Sequence, residues 1–209
     1  MGRDNLLYLL KVLGLVLVMS YMVDKIIFLA FNQISDKVYT GQSIGKLNQF
    51  LKLKDSLEWI VLGSSRANHT IDPAQLTPGS YNMGLDGRQI AYSAALIKLL
   101  PTHKDQTILL QVDPLSAVSP AYDGSDLKAL NTKYNRNETI RTELNRMGQD
   151  NRFQLFFWSL SYNGMVMGIL KNYLRPGYDH HTYLGYDPIY PTEKKKKIFQ
   201  TILNRKKEV

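Results

Sequence analysis

The chain has 209 residues, of which 44% are hydrophobic and 21% charged, and it carries no cysteine and a formal net charge of +8 at pH 7. Such a composition fits one folded domain and excludes a largely disordered or repetitive chain, a disulfide framework and any thiolate metal site. The basic residues are scattered apart from 194–197 and 205–207, which points away from nucleic acid and toward anionic lipid head groups.

Residues 6–31, LLYLLKVLGLVLVMSYMVDKIIFLAF, are apolar on every helical face. At 1.5 Å per residue they are long enough to cross a hydrocarbon layer of about 30 Å. Lys11 can snorkel to the interface, but Asp24 and Lys25 interrupt the stretch and leave 12–23 as its uninterrupted part. The core of a signal peptide is the rival reading; no small-x-small site follows, and bulky residues continue the pattern, which favours a retained anchor over residues 1–31. Lysines and arginines balance on the two sides, so charge alone leaves the orientation open.

A polar connector is expected over 32–55 and a single domain over 56–209. The run 57–62 reads as a buried strand ending in Gly63-Ser64-Ser65, after which a helix begins. Residues 80–83 form a second strand ending at Gly84. A helix over 89–100 is stopped by Pro101, and a third strand over 107–112 ends in Asp113-Pro114. Alternation of this kind predicts an α/β fold with a parallel sheet covered on both faces. In such sheets the reacting groups gather beyond the carboxyl ends of the strands, where the 63–66 turn, the 82–87 loop and Asp113 would converge. Helices are expected over 126–130, 138–147 and 164–174, whereas 153–160 fits strand or helix. The tyrosine-rich loop 175–191 should be irregular, and 192–206 reads as an amphipathic helix with a solvated lysine face. Trp59 and Trp158 read as core residues.

Ser65, at a strand-to-helix turn, presents its hydroxyl at the top of the sheet, where turn N–H groups can bind an oxyanion; the same residues also suit a plain helix N-cap. His69 follows one helical turn later as a candidate base, or has a surface or packing role. Arg66 can pair with a phosphate or carboxylate, and Asp86 and Arg88 can support the second loop, or all three are ordinary surface charges. His180 and His181, after Asp179, fit a metal or dyad, or two exposed histidines of a loop.

Taken together, VLGSSRANHTIDP, YNMGLDGRQI and ILLQVDP resemble the SGNH (GDSL-like) hydrolase superfamily. They are more similar still to the membrane-anchored SGNH-like proteins of Bacteroidetes, in which a transmembrane helix precedes a GSSR turn. The resemblance runs from the anchor through GYDPIYPTEKKKK. It implies a three-layer flavodoxin-like parallel sheet, incomplete here, with Ser65 as nucleophile, Ser64 in place of the usual aspartate, and the Gly84 N–H in the oxyanion hole. Arg66, Asn82 and Asp113 would bind substrate. Gln111-Val-Asp-Pro stands where the family has Gly-x-Asn-Asp, so its asparagine donor is missing. No Asp-x-x-His follows Lys194, so the sequence corresponds to about the first two thirds of such a protein. Loss of a triad member costs on the order of 10⁴ to 10⁶ in rate.

The expectation is a single-pass protein of a bacterial inner (cytoplasmic) membrane with its domain outside the cytoplasm. It would be related to serine esterases or acyltransferases of cell-envelope glycans, weakly active or inactive, with no cofactor and no metal. The alternative is a non-catalytic, membrane-anchored binding or assembly component. Uncovered strand edges and apolar helix faces would favour self-association of the soluble part.

Overall fold

The computed structural model describes residues 2–177 and 183–189. Its first element is helix α1 (Arg3–Asp36), long and apolar enough to span a membrane. The helix has two parts. Up to Val23 its side chains are exposed, whereas Asp24, Phe28 and Ser35 are buried against the rest of the chain.

The segment expected as a polar connector instead continues α1 to Asp36 and then forms helix α2 (Ile44–Leu53). Ile44, Leu47 and Phe50 recur at helical spacing and are buried, so α2 belongs to the core.

Three short parallel strands follow the expected runs: β1 (Trp59–Leu62), β2 (Ser80–Asn82) and β3 (Thr107–Leu110), in the order β2-β1-β3. Trp59 is in register with both Ser80 and Thr107. Helix α3 (Ser65–Thr70) leads from β1 toward β2, and α4 (Ile90–Ile97) from β2 to β3. Ile60, Leu62, Tyr81, Met83, Tyr92 and Leu96 form the centre of the core with α2. The first turn of α4 is capped from outside: Asp126 Oδ2 accepts from the Gln89 and Tyr92 N–H groups at 2.9 and 3.0 Å. The Tyr122 hydroxyl donates to the same carboxylate at 2.8 Å and accepts from the Ala91 N–H.

After β3 come the short helix α5 (Pro114–Ala117), a 3₁₀ segment Ser125–Lys133, helix α6 (Glu138–Arg146) and helix α7 (Val166–Leu174). The ambiguous 153–160 run is neither strand nor α-helix but two 3₁₀ turns, Arg152–Leu155 and Trp158–Tyr162. A second apolar cluster, with Phe28, Val38, Ile44, Tyr162 and Ile169, joins these turns and α7 to the lower half of α1.

Trp59 and Trp158 are half-buried rather than central to the core. The β3 residues are half-exposed or exposed among the described residues. The expected helix over 192–206, and Asp179, His180 and His181, lie outside the described residues.

Candidate functional site

A cleft of about 240 Å³ opens beyond the carboxyl ends of β1 and β3, lined among others by Ser65, Arg66, Arg88, Gln111 and Asp113. The turn that forms it depends on Gly63. Its φ of +144° is in the region that favours glycine, and a Cβ there would meet Gln111 Cβ at 2.8 Å. Ser64 is the N-cap of α3; its Oγ accepts weakly from the Arg66 N–H at 3.4 Å and donates to Gln111 Oε1 at 2.7 Å. The Ser64 N–H donates to the same amide oxygen at 3.0 Å. Gln111 thus ties the end of β3 to the serine turn. In the sequence Gln111 stands out only as a departure from the SGNH pattern that the chain resembles, but its place at the end of a strand beside the turn is readable.

Ser65 is the first residue of α3, half-buried on the cleft wall, and among the described residues its hydroxyl has no hydrogen-bond partner. Arg66 lies 3.9 Å from the Asp113 carboxylate, an exposed and loose pair. Arg88 reaches the Asp126 carbonyl at 3.4 Å, while its Nε and the Gln89 Oε1 are buried at the cleft without a partner among the described residues. The exposed side is therefore cationic and rich in hydrogen-bonding groups.

Asn82, Gly84 and His69 do not line the cleft. Asn82 is buried: its Nδ2 donates to the Ala67 and Ile71 carbonyls at 2.7 Å each, closing the end of α3. Its Oδ1 accepts from the Gly84 N–H at 2.8 Å, so the donor expected in an oxyanion hole is already engaged. Gly84 is packed so tightly that a Cβ would lie 2.7 Å from the Asn68 nitrogen, and its carbonyl accepts from Lys46.

Lys46 stands at the centre of a buried polar network that the sequence does not announce. Its ammonium donates to Asn68 Oδ1 at 2.7 Å, and Asn68 Nδ2 donates to Asp86 at 2.9 Å. Burial pushes its pKa down to about 7, against the opposing pull of the Asp187 and Asp86 carboxylates. Asp187 arrives on the described segment 183–189, where the Leu184 carbonyl accepts from the Asn82 N–H at 2.8 Å.

His69 completes this network. Its Nδ1 faces the Asp187 carbonyl oxygen at 2.5 Å and its Nε2 faces the Asp86 carboxylate at 3.1 Å. Both neighbours accept, so both ring nitrogens donate in the protonated ring. Burial alone would lower its pKa, but the Asp187 carbonyl and the Asp86 carboxylate outweigh that and raise it. Asp86 is held below its ordinary value: burial would raise it, and the bonds from Asn68 and His69 prevail. A ring engaged at both nitrogens is a clamp between α3, the second loop and the 183–189 segment, and among the described residues it makes no hydrogen bond to Ser65.

No group of three or more histidine, aspartate or glutamate side chains is placed to hold a metal ion among the described residues. No protein-family model, curated protein or solved structure matches the chain.

Proposed function

We propose that this is a membrane-tethered SGNH-like protein, related to serine esterases and acyltransferases of cell-envelope glycans, with its domain on the extracytoplasmic side of a bacterial inner membrane. The observation that carries the reading is the position of Ser65. It follows a glycine turn at the end of the central parallel strand and lines a cleft with its hydroxyl unengaged among the described residues. The strand order β2-β1-β3 also supports it, since flavodoxin-like sheets begin that way and bind ligands beyond the carboxyl ends of their strands.

In this reading Ser65 Oγ attacks the acyl carbonyl of an ester, the acyl–oxygen bond breaks to leave an acyl-serine, and the alcohol departs with the serine proton, while the Arg66 and Arg88 side chains hold the polar parts of the substrate. With no base in contact among the described residues, the hydroxyl reacts slowly. The test is labelling of the full-length protein in membranes with a fluorophosphonate probe. Slow labelling that disappears in Ser65→Ala is the expected result.

One observation favours a non-catalytic reading: His69, the nearest imidazole in sequence, is engaged at both nitrogens. If neither wild type nor Ser65→Ala is labelled, the cleft is a binding site for a polar or anionic group on an anchored assembly component.

A further inference from the structure

Asp24 and Lys25 are the polar fault in an otherwise apolar helix. An aspartate at the edge of the hydrocarbon layer is costly unless its charge is paired and hydrogen-bonded by protein. Here a second segment supplies those partners. Asp24 is only 5% exposed, and its carboxylate accepts from the Trp158 N–H at 2.8 Å, from the Ser159 N–H at 3.0 Å and from the Ser159 hydroxyl. Lys25 bonds the same carboxylate at 3.0 Å and the Phe156 carbonyl at 2.5 Å. Its ammonium sits 4.3 Å from the centre of the Tyr21 ring and 4.1 Å from that of Trp158.

The cover over this charged pair is itself apolar on the outside. Phe153, Leu155 and Phe156 are exposed, and the Phe156 ring lies 4.9 Å from that of Tyr21. Tyr21 belongs to the uninterrupted apolar run, so Phe156 lies alongside the depth which that run occupies. Directly after the pair and one turn further along α1, Ile26 and Leu29 are exposed as well, so the apolar band continues past the charged pair. Aromatic side chains beside a span favour the boundary between hydrocarbon and head groups.

We propose that residues 152–158 form a second membrane contact, an interfacial foot that seals the Asp24–Lys25 pair and inserts Phe153, Leu155 and Phe156 into the bilayer beside α1. This rests on the reading of α1 as a retained anchor. The occupant is the lipid bilayer, because the foot is continuous with the apolar surface of the helix. Arg152, exposed at the start of the foot, stands where anionic head groups would meet it.

The chain has no cysteine, so single cysteines can be spin-labelled without background. The full-length protein is reconstituted in vesicles of phosphatidylcholine and phosphatidylglycerol, with labels at Phe153→Cys, Leu155→Cys and Phe156→Cys. Val16→Cys serves as the reference within the span and Val118→Cys as the exposed reference on the domain. Relaxation by oxygen relative to a water-soluble nickel complex reads depth. The foot labels should shift from the Val118 ratio toward that of Val16. Foot labels matching Val118 while Val16 reports hydrocarbon would overturn the proposal and leave the anchor standing; a Val16 label in water would overturn both. A second readout leaves Phe153, Leu155 and Phe156 unaltered. The protein has two tryptophans, and shallow brominated lipid should quench the fluorescence of Trp59→Phe, which retains Trp158, and spare that of Trp158→Phe. Equal or absent quenching in the two variants overturns the proposal.

Discussion

Replacing Lys46 with methionine tests the electrostatics beneath the second loop. The lysine is wholly buried, and burial takes its pKa from 10.5 down to about 7. Between those two values the unfolded chain carries a proton that the folded chain has lost. The lysine's contribution to native stability therefore rises with pH across that window and is flat below it. At about 1.4 kcal/mol per pKa unit the rise is on the order of 5 kcal/mol. Methionine has nothing to titrate, but it leaves the Asn68 Oδ1 and the Gly84 carbonyl without their donor, at roughly 1–3 kcal/mol each. Lys46→Met should thus be several kcal/mol less stable than wild type near the top of the window. The deficit should shrink steadily toward pH 7 and then level off, because the wild type by then bears the cost of a buried charge. Urea unfolding of the full-length protein in detergent micelles, followed by tryptophan fluorescence, measures both curves. A stability difference that stays constant between pH 7 and 10.5 would refute the reasoning, since it would mean that the ammonium keeps its ordinary affinity for the proton.

The His69–Asp86 contact has the opposite alkaline trend. A raised imidazole pKa stabilises the fold below the ordinary 6.5 and loses that effect as pH rises through the raised value, while a lowered carboxyl pKa acts above 3.8 and is lost as pH falls through the lowered one. His69→Gln should therefore destabilise by about 1 kcal/mol between pH 3.8 and 6.5, a figure discounted for the exposure of Asp86, and by less in alkaline buffer, as thermal melts across pH will show. Asn82→Ala removes three buried hydrogen bonds, and a loss of roughly 3 kcal/mol or more is expected in urea unfolding. Gly63→Ala forces a Cβ against Gln111 at an unfavourable φ; a drop of about 2 kcal/mol or more in calorimetric stability is expected, together with loss of any Ser65 labelling.

β1 and β3 were legible as short, largely aliphatic runs closed by a turn and β2 by its place before the Gly84 turn, and the parallel arrangement followed from the helices between them. Helix α2 was not, although Ile44, Leu47 and Phe50 make a stripe. The residues between them, Lys46, Asn48 and Gln49, read as solvent-facing, yet all three are buried with their own partners. Asn48 Nδ2, for example, donates to the Ser35 and Val38 carbonyls at 2.7 and 2.9 Å. A pattern of apolar and polar residues cannot mark a polar side chain that finds its hydrogen bonds inside. The same reason divides the site. Ser65 and Arg66 open the helix after β1 and Asp113 follows β3, positions that a parallel sheet must gather at one edge, so their meeting was foreseeable. Lys46 and Asp187 reach the second loop from remote segments: the bond between His69 and Asp187 spans 118 residues, and no local signal encodes it.

The way α1 joins the domain bears on what the cleft can reach. A flexible linker would let a domain sample a wide range of heights above a membrane. Here the helix runs without a break from its exposed apolar half into its packed half. Its last turns are fixed by Lys133 and Arg136 on Asp36, at 2.8 and 2.6 Å, and by the Tyr162 hydroxyl on Asn32. Asn48 on α2 holds the Ser35 carbonyl, and α2 in turn carries the Lys46 that braces the Gly84 loop. A continuous set of rigid elements therefore connects the apolar half of α1 to the second loop and the turn beside it. If α1 crosses a bilayer, the tilt of that helix sets the height and direction of the cleft, and ligands are selected by their distance from the membrane as well as by their chemistry.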